Sequence, residues 1–139
     1  MEGSRGFTLI EIMIVVVIIG LLAGLVAVNL LPQAEKAKKT AARSQMKSIE
    51  NALELYKLDT GRYPSTDQGL EELVHPSNNQ PPYLKGGKLP KDPWGNPFSY
   101  LAPGANGQPY EILSYGADGQ PGGSGEDADI SNWGSDEDE

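Results

Sequence analysis

The distribution of apolar residues changes twice along the chain. From Leu9 to Leu31 apolar residues dominate, and Ile12–Leu25 contains no charged side chain. A helix crossing a bilayer needs about 20 such residues, so this run is long enough. Beyond it the pattern becomes amphipathic. Ala42, Met46, Ile49, Leu53 and Tyr56 recur at spacings of three and four, which places them on one face of a helix. Lys47, Glu50, Glu54 and Lys57 fall at helical neighbour spacings on the wet faces. Strong helix formers fill Ala34–Ala42 between the two patterns. The simplest reading is one long helix, apolar all round at first and amphipathic afterwards. It stops near Asp59-Thr60-Gly61, since glycine favours a helix C-terminus. Pro32 allows a second reading, an anchor helix and a separate following helix, because proline removes one hydrogen bond and clashes a turn back.

Shorter elements follow. Arg62-Tyr63-Pro64 reads as extended. Ser65 and Gln68 have the spacing of a capping box, which predicts a short helix over 67–74 burying Leu70, Leu73 and Val74, with Pro76 ending it. The stretch 75–82 is a loop by composition. Trp94-Gly95-Asn96-Pro97 predicts a turn that folds Trp94, Phe98 and Tyr100 onto the long helix; an aromatic binding platform is the alternative. Short strands are expected over 98–101 and 110–115, joined by the Gly- and Pro-rich hairpin loop 102–109. The fold class is therefore α+β.

Composition narrows the function. The chain has 139 residues, no cysteine and a net charge of -8. No disulfide or thiolate metal site is available, and the acidic balance argues against nucleic acid as a partner. Acidic residues gather late, from Glu126 to Glu139, and basic ones early, from Lys36 to Lys57. That early cluster, set against the single Arg5 before the apolar run, would by the positive-inside rule keep the C-terminal part cytoplasmic. A single histidine, His75 beside a proline, leaves no convincing nucleophile and base, so a membrane-anchored enzyme is disfavoured.

Candidate chemistry begins at Gly6-Phe7-Thr8-Leu9-Ile10-Glu11. A carboxylate at the head of an apolar helix costs a few kcal/mol or more within lipid unless it is paired. Cleavage after Gly6 would expose a new amine on Phe7, a natural partner for Glu11 between staggered copies. The plainer reading puts Glu11 at headgroup depth with no role. Gly20 and Gly24 provide either a close-packing face between helices or local flexibility.

The segment Gly6–Glu11 with its apolar run resembles the N-terminal segment of type IV pilins and type II secretion pseudopilins. Tyr56-Lys57-Leu58-Asp59, Gly61-Arg62-Tyr63-Pro64, Gln68-Gly69-Leu70 and Asp92-Pro93-Trp94-Gly95 resemble the major pseudopilin of type II secretion, the general secretion pathway protein G family. The resemblance implies that a prepilin peptidase cuts between Gly6 and Phe7 and methylates the Phe7 amine, and that Phe7 and Glu11 act in assembly. It implies a leader 1–6, a transmembrane and polymerisation helix 7–31, its amphipathic continuation 32–60, a globular domain 61–134 and an acidic tail 135–139. It also implies a single-pass protein of the bacterial inner membrane with its C-terminal domain in the periplasm, against the charge rule. Such a subunit polymerises into a helical filament that drives export of folded proteins across the outer membrane. Its partners would be further copies of itself, minor pseudopilins and inner-membrane assembly proteins. Related chains often carry proline where Val28 stands here. A type IV pilin forming surface fibres is the alternative, disfavoured by the lack of cysteine.

The last stretch, Ser114–Trp133, combines glycines with Asp118, Glu126, Asp127 and Asp129. Carboxylates on a flexible backbone suit a hard cation, although the spacing is not that of an EF-hand. By composition alone a solvated acidic tail is the plainer reading; Ile130 and Trp133 oppose it. The stretch resembles the calcium-binding loop of the major pseudopilin. That resemblance implies Asp118 and Asp129 as ligands with the carbonyl of Tyr115, and Asp127 and the carbonyl of Ser131 as further candidates.

Overall fold

The computed structural model describes residue 3 and residues 5–134, the side chain of Asn29 excepted. The acidic end 135–139 lies outside the described residues. The chain divides into two compact units, residues 1–36 and residues 37–139. Helix α1, Leu9–Thr60, contributes to both, with Pro32 inside it. The helix is thus assigned without a break at the proline.

In the first unit α1 is apolar on every side, and its large side chains from Leu9 to Leu31 are exposed. It is long and apolar enough to cross a membrane. An added Cβ at Gly20 or Gly24 would meet open space.

In the second unit α1 buries the predicted stripe. Ala42, Met46, Ile49, Leu53 and Tyr56 are at most 3% exposed, and Ala52 joins them. Burying a leucine fully is worth roughly 1.5–3 kcal/mol, so this stripe fixes the helix in its domain. The helix ends as the sequence predicts: Gly61 takes a positive φ, and its N–H donates to the Lys57 carbonyl at 2.7 Å. The chain then runs extended. The Tyr63 hydroxyl donates to Glu54 at 2.6 Å, and the Lys57 ammonium lies 4.6 Å from the centre of the Tyr63 ring.

The capping box forms. Ser65 N–H donates to Gln68 Oε1 at 3.0 Å, and Gln68 N–H donates to Ser65 Oγ at 3.3 Å. The α-helix predicted over 67–74 does not. Gly69, at φ 64°, interrupts it, and a single 3₁₀ turn, Leu70–Leu73, takes its place. Leu70, Leu73 and Val74 are buried as expected. A three-stranded antiparallel sheet follows: β1 (Ser99–Leu101), β2 (Glu111–Ser114) and β3 (Ile130–Ser131), in that spatial order. The hairpin β1–β2 matches the prediction. Strand β3 was not foreseen; it pairs Ser114 with Ile130 and Leu113 with Ser131. Trp94 and Phe98 pack half-buried against the core, and Tyr100 is buried within it. The aromatics therefore belong to the core.

Candidate functional site

Two places carry the predicted chemistry. At the N-terminus, Phe7 is 82% exposed and precedes α1 by two residues. Glu11 sits in the first turn of the helix. Its Oε2 accepts the Thr8 N–H at 3.3 Å, and its own N–H donates to Thr8 Oγ1 at 3.3 Å. Thr-x-x-Glu is a capping box, and each residue satisfies an amide that a helix start leaves open. Sequence reasoning treated Glu11 as a lone acid and missed this, although the spacing was on view. An ionised carboxylate accepts about four hydrogen bonds, so one amide leaves it capacity for a further donor.

The second place is the C-terminal loop between β2 and β3. Its anchor is Asp92, which the sequence marked only as part of the Asp92-Pro93-Trp94-Gly95 run. Asp92 is 4% exposed. Its Oδ1 accepts the N–H groups of Trp94 at 3.1 Å and Asn96 at 2.7 Å, and its Oδ2 accepts the Ser114 hydroxyl at 2.8 Å. Asn96 Nδ2 then donates to the Gly116 carbonyl at 3.0 Å. The Asp92–Asn96 turn thus grips the end of β2 and the first residues of the loop. Only glycine fits at 116, where φ is 70° and a Cβ would lie 2.5 Å from the Glu126 carbonyl oxygen. That close approach lets Ala117 N–H donate to the same carbonyl at 2.8 Å. The two limbs of the loop are held against each other.

The predicted ligands fall as follows. Asp118 is exposed and accepts the Gln120 N–H at 3.1 Å. Asp129 is exposed and accepts the Gly122 N–H at 2.9 Å, closing the loop across seven residues. Tyr115 is half-buried, its hydroxyl 3.4 Å from Ser99 Oγ. Asp127 is exposed on a one-turn 3₁₀ helix, Gly125–Asp127. Ser131 is in β3; its hydroxyl donates to Glu111 at 3.1 Å and its carbonyl accepts the Gly134 N–H at 3.1 Å. Among the described residues, no group of three or more Asp, Glu, His or Cys side chains gathers in an arrangement that could hold a metal ion through side chains alone. His75 stands at the surface with Nδ1 2.6 Å from Glu71.

Two clasps elsewhere tie the segment after α1 back to the helix. Glu72, 8% exposed, accepts the Tyr56 hydroxyl at 3.3 Å and both the hydroxyl and N–H of Ser77. Those Ser77 bonds, ahead of the smaller Tyr56 one, hold the Glu72 carboxyl below the usual range although burial opposes them. Tyr63 is pushed up to about 12 by burial and by its bond to Glu54.

A free apolar helix headed by a small residue, Phe and Glu, joined to a small antiparallel sheet, defines the class: a pilin-like subunit. Residues 1–27 match the prokaryotic N-terminal methylation motif. A solved structure of the major pseudopilin from the type 2 secretion system of enterohaemorrhagic Escherichia coli is similar, with a TM-score of 0.62 at 36% identity, over 76% of this chain and 94% of that one. Residues 29–133 match the family model of type II secretion system protein G. The type II secretion system core protein G of Pseudomonas aeruginosa is 55% identical, over 94% of this chain and 95% of its own length. That of Vibrio cholerae is 52% identical, over 96% and 94%. The chain belongs to the type II secretion system protein G family. A surface-fibre pilin is not favoured by these matches.

Proposed function

We propose that this chain is the major structural subunit of a type II secretion pseudopilus. Residues 1–6 are a leader that a prepilin peptidase removes after Gly6, methylating the Phe7 amine. The apolar half of α1 holds the subunit in the bacterial inner membrane, single-pass, with the globular domain in the periplasm. Copies then polymerise into a helical filament, with minor pseudopilins and inner-membrane assembly proteins, and the filament drives folded proteins across the outer membrane. The role is structural, not enzymatic.

The observation that carries this is the bare apolar surface of α1 in the first unit. Its large side chains from Leu9 to Leu31 are exposed, and water would not tolerate such a surface. Lipid covers it before assembly, and sister helices cover it afterwards. The Glu11 carboxylate, only partly used by its own cap, accepts the Phe7 ammonium of a neighbouring copy, which offsets the cost of an acid in lipid. Glutamine also fits a capping box, so Glu11→Gln removes the charge and keeps the helix start. We expect that variant to insert normally and to assemble few or no filaments by electron microscopy of cells. Normal filament yield refutes the docking role.

The loop 115–131 is proposed to hold calcium through the carboxylates of Asp118 and Asp129 and the Tyr115 carbonyl, with Asp127 and the Ser131 carbonyl as further donors. The donor chemistry fits: these are hard oxygens of mixed carboxylate and carbonyl type. Asp118 and Asp129 each also accept a loop amide, which orients them. The ion would supply positive charge that offsets repulsion among the loop acids. Chelation should lower the melting temperature of the full chain in detergent, and Asp118→Ala should abolish that shift. No shift on chelation removes the metal from the account.

A further inference from the structure

Asn132 stands where three elements meet. Its N–H donates to the Ile112 carbonyl at 3.0 Å, and its side-chain Oδ1 accepts the Ile112 N–H at 2.7 Å. Backbone and side chain together grip one residue of β2. The remaining amide group, Nδ2, donates to Glu50 Oε1 of α1 at 3.0 Å. The other oxygen of Glu50 faces Lys47 at 3.1 Å. Next in the chain, Trp133 Nε1 donates to the Tyr110 carbonyl at 2.6 Å. Three residues before Asn132, Asp129 closes the loop through Gly122. Glu50 and Asn132 are 82 residues apart in sequence. The bond needs a donor and an acceptor in one side chain, which asparagine has and aspartate or alanine lacks.

We propose that Asn132 is a latch, a positioning residue through which the C-terminal loop and helix α1 set each other's arrangement. Loosening of the loop 116–129 frees the Glu50 carboxylate, and loss of the Glu50 acceptor loosens the loop. The latch rests on geometry alone and stands whether or not the loop holds calcium. Lys39 and Arg43 of α1 border the adjoining cleft with Ala128, Asp129 and Ile130, so the test separates Glu50 from the helix face in general.

Amide hydrogen exchange of the full chain in detergent micelles tests the latch. The probes are the Gly122 and Ala117 amides, which are bonded to Asp129 and to the Glu126 carbonyl. Glu50→Ala should speed their exchange about tenfold, the scale of one hydrogen bond to a charged group. Asn132→Ala should do the same, and the double variant should exchange no faster than the faster single one. Glu50→Gln keeps a carbonyl acceptor and should restore slow exchange. Slow exchange of the Ile49 and Leu53 amides in each variant shows that the core is folded. Unchanged loop exchange in Glu50→Ala overturns the latch. So does additive acceleration in the double variant, or acceleration by Lys39→Ala equal to that by Glu50→Ala.

Discussion

Single polar side chains hold distant parts of the domain together. Asp92 and Glu72 are both buried carboxylates, and each accepts three hydrogen bonds from groups far apart in the sequence or in a turn. A buried carboxylate left without such partners costs several kcal/mol. For Glu72 the consequence is an acid limit. Its folded-state pKa is lowered, chiefly by Ser77, so its contribution is present above the ordinary glutamate value of 4.5 and is lost as the pH falls through the lowered value. Urea midpoints of the full chain in detergent should therefore fall as the pH drops from 4.5 through the lowered value, and Glu72→Gln should flatten the fall. An equally steep acid limb in Glu72→Gln contradicts the assignment. The pairings were not legible in sequence, because Ser77 read as a loop residue and Ser114 as a strand residue, and only the fold brings them to the acids. Glu11 is a different case. Its cap with Thr8 follows from local spacing, and only attention to the cost of its charge hid it.

Helix α1 shows how periodicity translates into packing. Leu53 is fully buried and Leu58, five residues on, is 81% exposed. Removing three carbons at Leu53 leaves a cavity that costs about 2–5 kcal/mol, whereas the same change at Leu58 should fall within about 0.5 kcal/mol. Urea unfolding of Leu53→Ala and Leu58→Ala checks the pair; equal losses would mean that the buried stripe is misplaced. The elements that sequence reasoning read correctly share this local character: the stripe, the Gly61 stop, the Ser65–Gln68 box and the β1–β2 hairpin. The two it misread do not. The helix over 67–74 was cut to one turn because Gly69 takes a left-handed φ directly after the cap. Strand β3 is two residues long, and its partners lie in β2, across an acidic, Gly-rich loop. Nothing in its own composition marks it as a strand.

The whole chain joins a segment with its apolar side chains bare to a domain with a closed core. The closed core accounts for the stability of the domain, and the bare segment is the surface that, in the proposed function, a membrane and then sister copies cover. The family followed from motifs spread along most of the chain: its model matches residues 29–133, and the N-terminal methylation motif matches residues 1–27. The exposed Phe7 and the capped Glu11 gain their proposed roles only once a new amine is made. The proposed assembly therefore depends on one proposed covalent event, cleavage between Gly6 and Phe7. Mass analysis of the N-terminal peptide, from chain extracted out of cells with active prepilin peptidase, tests that event directly. The account predicts a peptide that begins at Phe7 and carries one added methyl group; a peptide that retains residues 1–6, or begins at any other residue, would contradict it.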